Sequence, residues 1–461
     1  MSTSVQFNSF LSKLKELLGS EGLVTDREVL LSNSRDFGQL ASDPILPLAV
    51  AFAQSTEQVQ AIMRLCTEFQ VPVISRGAGT GVSGGVHVLE PCLVLNLSRM
   101  NRILEIRQHD EVAVVEPGVI NSVLNDAVAE YGFMYAPDPA SYKMSTIGGN
   151  IATNAGGLRC AKYGVTRESV LSLEIVLADG RLITVGAQSF KGVAGYDLTS
   201  LFVGSEGTLG VVVKAVVRLR YLPVDQRDLS MVFQTLEDAL VGVQAIGRAR
   251  VQPAILELID RPTMEVLDRS YDTNIAELGE AMVLARFDGY GAKAEENVVR
   301  QIFDTLPVQL SAAADPFATT LIEMRRTSRG DMQDDAYRMG EDVAVPKSKM
   351  VAYVRQVREI AEQQQVDVRF IAHAGDGNLH PTFSVEPDHG GDPLARLTIA
   401  LEESIRLALE AGGTITGEHG VGLIKREWLG WEQSETVLAI QRQLKDLLDP
   451  LGILNPGKAI Q

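Results

Sequence analysis

The sequence predicts an α+β protein of two or three domains, and three observations carry that reading. At 461 residues the chain exceeds what a single hydrophobic core ordinarily serves. From about residue 47, strand-like and helix-like segments alternate, joined by loops rich in glycine. After Leu222-Pro223 those loops stop and the alternation continues without them, which marks a second domain with its own core.

Composition sets the outer limits. With 45% hydrophobic and 22% charged residues the chain is globular rather than disordered. A net charge of -17 argues against nucleic acid or an anionic membrane surface as the main partner. A small anionic substrate would therefore need locally placed positive charge. Cys66, Cys92 and Cys160 are sparse, odd in number and free of any CxxC spacing, which suits a reducing compartment and free thiols. The N-terminus shows no basic stretch followed by an apolar core, and no apolar run approaches a membrane span. The expectation is a cytoplasmic protein without a transmembrane segment, with peripheral membrane attachment left open.

Taken in order, residues 7 to 18 place Phe7, Phe10, Leu11, Leu14, Leu17 and Leu18 on one helical face that Gly19 stops. Residues 1–46 thus read as a helical docking segment. Leu48 to Ala53 is a β-run, and Ser55-Thr56-Glu57-Gln58 has the spacing of a capping box that opens a helix through Phe69. Val71 to Ile74 then leads into Arg76-Gly77-Ala78-Gly79-Thr80-Gly81-Val82-Ser83-Gly84-Gly85, five glycines in ten residues. Glycine lets backbone N–H groups converge on an anion without Cβ obstruction, so the loop suits a phosphate-bearing ligand. It also suits a tight strand connection. It is not a P-loop, lacking the Gly-Lys-Ser/Thr ending, nor a dinucleotide fingerprint, lacking the third glycine and the helix that should follow at once.

Two more glycine-rich segments share this half of the chain. Pro137-Asp138-Pro139 leads to Ser145-Thr146-Ile147-Gly148-Gly149-Asn150, and Gly204-Ser205-Glu206-Gly207-Thr208-Leu209-Gly210 precedes an apolar strand from Val211 to Leu219. Three such loops beside β-structure point to one extended ligand with phosphates and a ring system.

In the second half, Val366 to His373 and Leu379 to Phe383 flank Gly375-Asp376-Gly377-Asn378, a hairpin pattern. If it is symmetric, His373 and His380 oppose each other directly, with Cβ atoms roughly 5 Å apart, close enough for one divalent ion to bridge. Two histidines on a solvated face are the plainer alternative. Ile322 to Arg329 reads as a helix bearing Arg325, Arg326 and Arg329, on its own terms a solvated charged face. Glu418-His419 stands between glycines near the end of the chain.

Six ordered motifs, SRGAGTGVSGG, PDPASYKMSTIGGN, LFVGSEGTLG, HAGDGNLHP, GGTITGEHGVG and ILNPGKAI, resemble the FAD-dependent D-2-hydroxy acid dehydrogenases of the vanillyl-alcohol oxidase superfamily. That group includes D-lactate dehydrogenases, D-2-hydroxyglutarate dehydrogenases and the flavin subunit of glycolate oxidase. The resemblance runs from about residue 45 to the end. It implies an FAD-binding domain in two parts over 47–222, an antiparallel-sheet substrate domain over 223–400, and a C-terminal helical segment over 401–461 that packs on both.

The resemblance also implies roles. Arg76, Gly77, Ala78, Gly79, Thr80, Gly81 and Ser83 would wrap the FAD pyrophosphate. Pro137, Asp138, Ser145, Thr146, Gly148, Gly149 and Asn150 would lie toward the ribityl and flavin end, and Glu206, Gly207, Gly210 and Val211 toward the adenosine. Asn455 would sit by the isoalloxazine. His87 lies beyond the glycines, so the flavin is expected to be non-covalent. His373, His380 and Glu418 would hold one divalent ion, zinc first, with manganese, iron or cobalt open. His419 would act as general base on the substrate hydroxyl, Arg325 would hold the substrate carboxylate, and Asn378 would help orient it. The implied activity oxidises a D-2-hydroxy acid to the 2-oxo acid by hydride transfer to flavin N5. D-Lactate-like substrates come ahead of D-2-hydroxyglutarate, because Gly340 stands where a hydroxyglutarate enzyme would carry lysine. Electrons would pass to a quinone, a cytochrome or an electron-transferring flavoprotein. A flavin subunit inactive outside a glycolate-oxidising complex is the alternative, a metal hydrolase with purely structural glycine loops is a third reading, and a homodimer is left open.

Overall fold

The computed structural model describes residues 3–38, 45–304, 308–313, 315–327, 336–386 and 392–460, with side chains from residue 7 onward. The chain divides into two compact units. One comprises Met1–Ala155, Val165–Leu222 and Glu418–Gln461, and the other comprises Gly156–Gly164 and Pro223–Gly417.

The first unit holds a four-stranded sheet in the order Leu23–Val24, Ala49–Phe52, Leu93–Asn96, Val73–Arg76, of which the last three are mutually parallel. Parallel neighbours need a crossover, and the helix Thr56–Phe69 supplies one. Ser55 caps it by accepting from the Gln58 N–H, while Gln58 Oε1 accepts from the Gln54 N–H, so the predicted box closes one residue early on its return side. Val59, Ile62, Met63 and Cys66 point into a core with Ala49, Ala51, Leu93 and Leu95. The N-terminal helix runs Thr3–Gly22 rather than stopping at Gly19, which bends it at φ 70°. Phe10 and Leu14 join the same core.

A five-stranded antiparallel sheet follows, ordered Ile103–Arg107, Val112–Val115, Val211–Arg218, Val170–Val176, Leu182–Gly186. Leu124, Val128, Ile147, Ile151 and Phe202 cover it. The end of the chain returns to the four-stranded sheet, with Leu454 bridged to Val73.

The second unit is built on an antiparallel sheet in the order Gln309–Leu310, Gln226–Phe233, Ala281–Asp288, Ile255–Asp260, Asp367–His373, Asn378–Val385, Tyr337–Gly340, with Val343–Ala344 also paired to Asn378–Val385. Ile255–Asp260 is buried at every position because both faces are covered. Met264, Leu267, Leu321 and Ile322 pack with Ile255 and Ile259. Helix Met350–Gln364 packs against Leu236–Arg248 and Pro393–Glu410. The division expected at residue 400 falls inside Pro393–Glu410, a continuous helix capped by Asp392, and the chain leaves this unit at Gly417.

Among the described residues no helix is long and apolar enough to cross a membrane.

Candidate functional site

In the first unit the three glycine loops are tied together by contacts that require glycine. A Cβ at Gly77 would stand 2.3 Å from Thr146 Oγ1, joining the first loop to the second, and one at Gly207 would stand 2.6 Å from Ser75 Oγ, joining the third to the first. Thr146 caps the turn that follows by accepting from the Gly149 N–H at 3.2 Å. Gly148 lies against Pro117, and Gly210 against Ile175. Asn121 Nδ2 donates to Pro137 O and to Asn150 Oδ1, holding the second segment together. Asn455, almost fully buried, donates to Gly85 O at 2.9 Å and to Glu206 O at 2.7 Å, so the C-terminal motif pins the first and third loops. Lys458 in turn donates to Asn455 Oδ1, and burial pushes its ammonium down to about 8.

Several side chains that the resemblance turns toward the cofactor are engaged within the chain. Arg76 is buried and donates to Arg35 O and Ser32 O, and Gly79, at φ +72°, makes room for its guanidinium. Ser83 donates to His419 O at 3.0 Å. The Glu206 carboxylate accepts the N–H groups of Val421 and Gly422, each at 2.8 Å. Loss of water around it raises this carboxyl to about 7, even though the two N–H groups favour the ionised form. At Arg76, Ser83 and Glu206 the backbone is therefore the surface left for a ligand. Ala78, Thr80, Gly81 and Asp138 line the same loops, and Val211 begins the strand behind them. His87 is buried 2.9 Å from Asp36 Oδ1.

A flavin nucleotide fits this unit on two counts. Three loops held open by glycine converge, and the buried Ser145 hydroxyl has no hydrogen-bond partner among the described residues. Glu418 and His419 also belong to this unit, 4.0 Å apart between Glu418 Oε1 and His419 Nε2.

In the second unit the predicted hairpin is present, with a correction to its register. Asp367–His373 pairs with Asn378–Val385 so that His373 lies opposite Asn378 and His380 opposite Ile371. The two histidines are diagonal neighbours, two positions apart, and so share one face. Their rings meet edge to face with centroids 5.2 Å apart. Of the four turn residues only Gly377 adopts positive φ, at 91°, and a Cβ there would meet Val345 O at 2.3 Å, so both the conformation and the space call for glycine.

Glu257, which motif reading passes over, stands directly across the next ladder from His373. It is fully buried; Oε1 lies 2.6 Å from His373 Nδ1 and Oε2 lies 2.9 Å from an Arg325 nitrogen. Burial alone would raise this carboxyl, but the His373 and Arg325 charges outweigh it and hold the pKa below the usual glutamate value. The available signal was an acid inside an otherwise apolar strand, Ile-Leu-Glu-Leu-Ile, since a buried carboxylate is costly unless paired. Asp342, also fully buried, accepts from Thr416 Oγ1 at 2.9 Å and lies 3.8 Å from His380 Nδ1.

Arg325 lies on the helix Pro316–Thr327 and is itself buried, while its Nε has no hydrogen-bond partner among the described residues, which leaves the guanidinium donor capacity beyond Glu257. Asn378 is buried, and its Oδ1 likewise has no hydrogen-bond partner among the described residues. Arg326 is buried 3.5 Å from Glu323, and Arg329 lies outside the described residues. A divalent ion fits this hairpin, since two imidazoles share a face and one is oriented by a carboxylate.

Comparison with known proteins finds two family matches along the chain. Residues 47–186 match the FAD binding domain family, and residues 222–459 match the family described as FAD linked oxidases, C-terminal domain. The chain is 39% identical to the glycolate oxidase subunit GlcD of Bacillus subtilis, over 90% of this chain and 89% of that one. It is 36% identical to a D-lactate dehydrogenase of Archaeoglobus fulgidus, over 88% and 90%. Among solved structures, p-cresol methylhydroxylase with substrate bound shares the fold at a TM-score of 0.81 and 18% identity, covering 99% of this chain and 97% of that one. The 4-ethylphenol oxidase from Gulosibacter chungangensis does so at 0.79 and 22%, covering 99% and 98%. The α+β fold of the vanillyl-alcohol oxidase type is thus the one expected. On the match to both domains and the identity along nearly its whole length, the chain belongs to the FAD-linked oxidases and is an FAD-dependent oxidoreductase.

Proposed function

We propose that the protein is a metal-assisted dehydrogenase of D-2-hydroxy acids, with a D-lactate-like substrate ahead of D-2-hydroxyglutarate. The observation that carries this reading is the pair His373 and His380 on one face of a hairpin, with His373 oriented by Glu257. An FAD-linked oxidase does not need such a pair for flavin chemistry alone; a substrate that binds through a hydroxyl and an adjacent carboxylate gains from a Lewis acid. The relatives named D-lactate dehydrogenase and glycolate oxidase subunit point to the same substrate class.

When bound, FAD supplies the hydride acceptor, and a divalent ion held by His373, His380 and Glu418 supplies the Lewis acid. The chain's own residues bind, orient and deprotonate. Arg325 holds the substrate carboxylate with the donors that Glu257 leaves over, and Asn378 orients it. His419 takes the proton of the 2-hydroxyl as the C2 hydrogen departs with its electron pair, and the product is the 2-oxo acid. Gly340, in place of a lysine, leaves a second substrate carboxylate without its cation, which favours lactate over hydroxyglutarate. Electrons then leave to a quinone, a cytochrome or an electron-transferring flavoprotein.

A second reading is a flavin subunit of a glycolate-oxidising complex, inactive alone, and the 39% identity to a glycolate oxidase subunit favours it. One experiment addresses both. The flavin-loaded protein is mixed anaerobically with D-lactate, L-lactate, D-2-hydroxyglutarate and glycolate, with and without chelator, and flavin bleaching is followed. Bleaching by a D-2-hydroxy acid that chelation abolishes is the expected result. Bleaching by none of them overturns the dehydrogenase reading for the isolated chain, and chelator-resistant bleaching overturns the role of the metal.

A further inference from the structure

Glu257 is a fully buried carboxylate on a central strand, and the sheet register sets what it faces. Glu257 and His373 are directly opposed across the ladder, and directly opposed side chains lie on the same face. The carboxylate is divided between two partners. Oε1 is 2.6 Å from His373 Nδ1, and Oε2 is 2.9 Å from Arg325, itself only 6% exposed. An ionised carboxylate accepts and does not donate, so the short contact puts the hydrogen on Nδ1. A proton fixed on one imidazole nitrogen assigns metal ligation to the other, and the carboxylate behind the ring raises its basicity and fixes its plane.

A purely structural role would be a buried ion pair joining the strand Ile255–Asp260 to the helix Pro316–Thr327. Such pairs contribute little net stability, and residues of similar volume packed as hydrocarbon hold elements together as well. We infer that Glu257 is a positioning residue of the proposed metal centre, which fixes His373 as an Nε2 ligand and is itself held in place by Arg325. The inference rests on the metal reading of His373 and His380. It adds that Arg325 has two duties, toward substrate and toward Glu257.

The test uses the full-length, flavin-loaded protein and Zn2+ as the probe. Zinc affinity is measured by competition with a chromophoric chelator for the wild type and for Glu257→Gln. Glutamine keeps the size but presents an amide N–H, either to His373 Nδ1 or to Arg325. The expected result is a loss of zinc affinity of about ten- to a hundredfold, with flavin absorbance per chain unchanged. Zinc bound equally well by both proteins overturns the inference. In case the variant fails to fold, the wild type is labelled with 15N at histidine, and the His373 resonances are identified by their absence in His373→Asn. A proton on Nδ1 of zinc-bound His373 supports the inference, and an Nδ1 without a proton overturns it. If the wild type takes up no zinc, the metal reading fails and takes the inference with it, whereas zinc bound equally well by the wild type and Glu257→Gln overturns the inference alone.

Discussion

His380 lies directly across the hairpin from Ile371, so it reaches His373 along the diagonal of the ladder. A two-position offset keeps both rings on one face, whereas a slip of one residue would send one ring to the opposite face. The pair is therefore set by the register of the hairpin rather than by spacing alone. If the proposed metal site is real, replacing either histidine by alanine should abolish zinc binding and leave the flavin in place, because the glycine loops proposed to hold FAD belong to the other unit. A Lewis acid contributes several kcal/mol to a transition state, so dye-linked oxidation of the best 2-hydroxy acid should fall by at least about 10²-fold. Zinc content and turnover measured on the same samples check this. A variant that loses its zinc and keeps its rate would show that the ion has no part in the reaction.

His419→Ala tests the proposed proton transfer. Its backbone carbonyl, not its ring, accepts the Ser83 hydroxyl, so deleting the ring leaves that link between loops intact. Flavin and zinc contents should match the wild type, while flavin reduction in a stopped-flow mixing experiment slows by about 10²- to 10⁴-fold, the usual span for a lost general base. Near-normal bleaching would assign the proton to another group.

Gly77→Ala tests the junction between the first two loops. A methyl group there meets Thr146 Oγ1 at 2.3 Å, and the hydroxyl must swing away from the Gly149 N–H that it caps. The lost cap costs about 1 kcal/mol, and the displaced loop should hold FAD less tightly. Equilibrium dialysis of FAD against the variant and the wild type gives the answer. Unchanged affinity would place the flavin away from this junction.

The extent to which the sequence revealed these features differs between the two units, for a physical reason. The helix Thr56–Phe69 and the strand Val211–Arg218 were readable because one has a cap and a 3.6-residue apolar period and the other is a long apolar run after glycine. The histidine pair was readable as a hairpin, but its register was not, because a four-residue turn can close on more than one pairing. At Glu257 the acid inside an apolar strand was a readable sign of pairing, but its partners were not, because His373 lies 116 positions away and no local pattern encodes a partner across a sheet. The engagement of the Ser83 and Glu206 side chains by the loop after His419 escaped for the same reason.

Asp260 gives a prediction about pH. Only 1% exposed, it caps the helix Arg261–Tyr271 by accepting from the Thr263 N–H and hydroxyl, and it also accepts from the Phe370 N–H of the neighbouring strand. Burial pushes its carboxyl up to about 6, against the pull of those donors. A folded-state pKa above the unfolded value means that the native state binds the extra proton between roughly pH 4 and 6, so the group's stabilising contribution is present at low pH and is lost as pH rises through that window. Asp260→Asn keeps a capping carbonyl and cannot titrate. The variant carries a constant penalty for the donor it turns toward one of its partners, but its stability lacks this slope. Urea unfolding at pH 5 and pH 7 should therefore show the wild type losing roughly 1 kcal/mol relative to the variant on going to the higher pH. A difference that stays flat or grows with pH would mean that Asp260 is ionised in the native protein throughout this range, with its three donors outweighing burial.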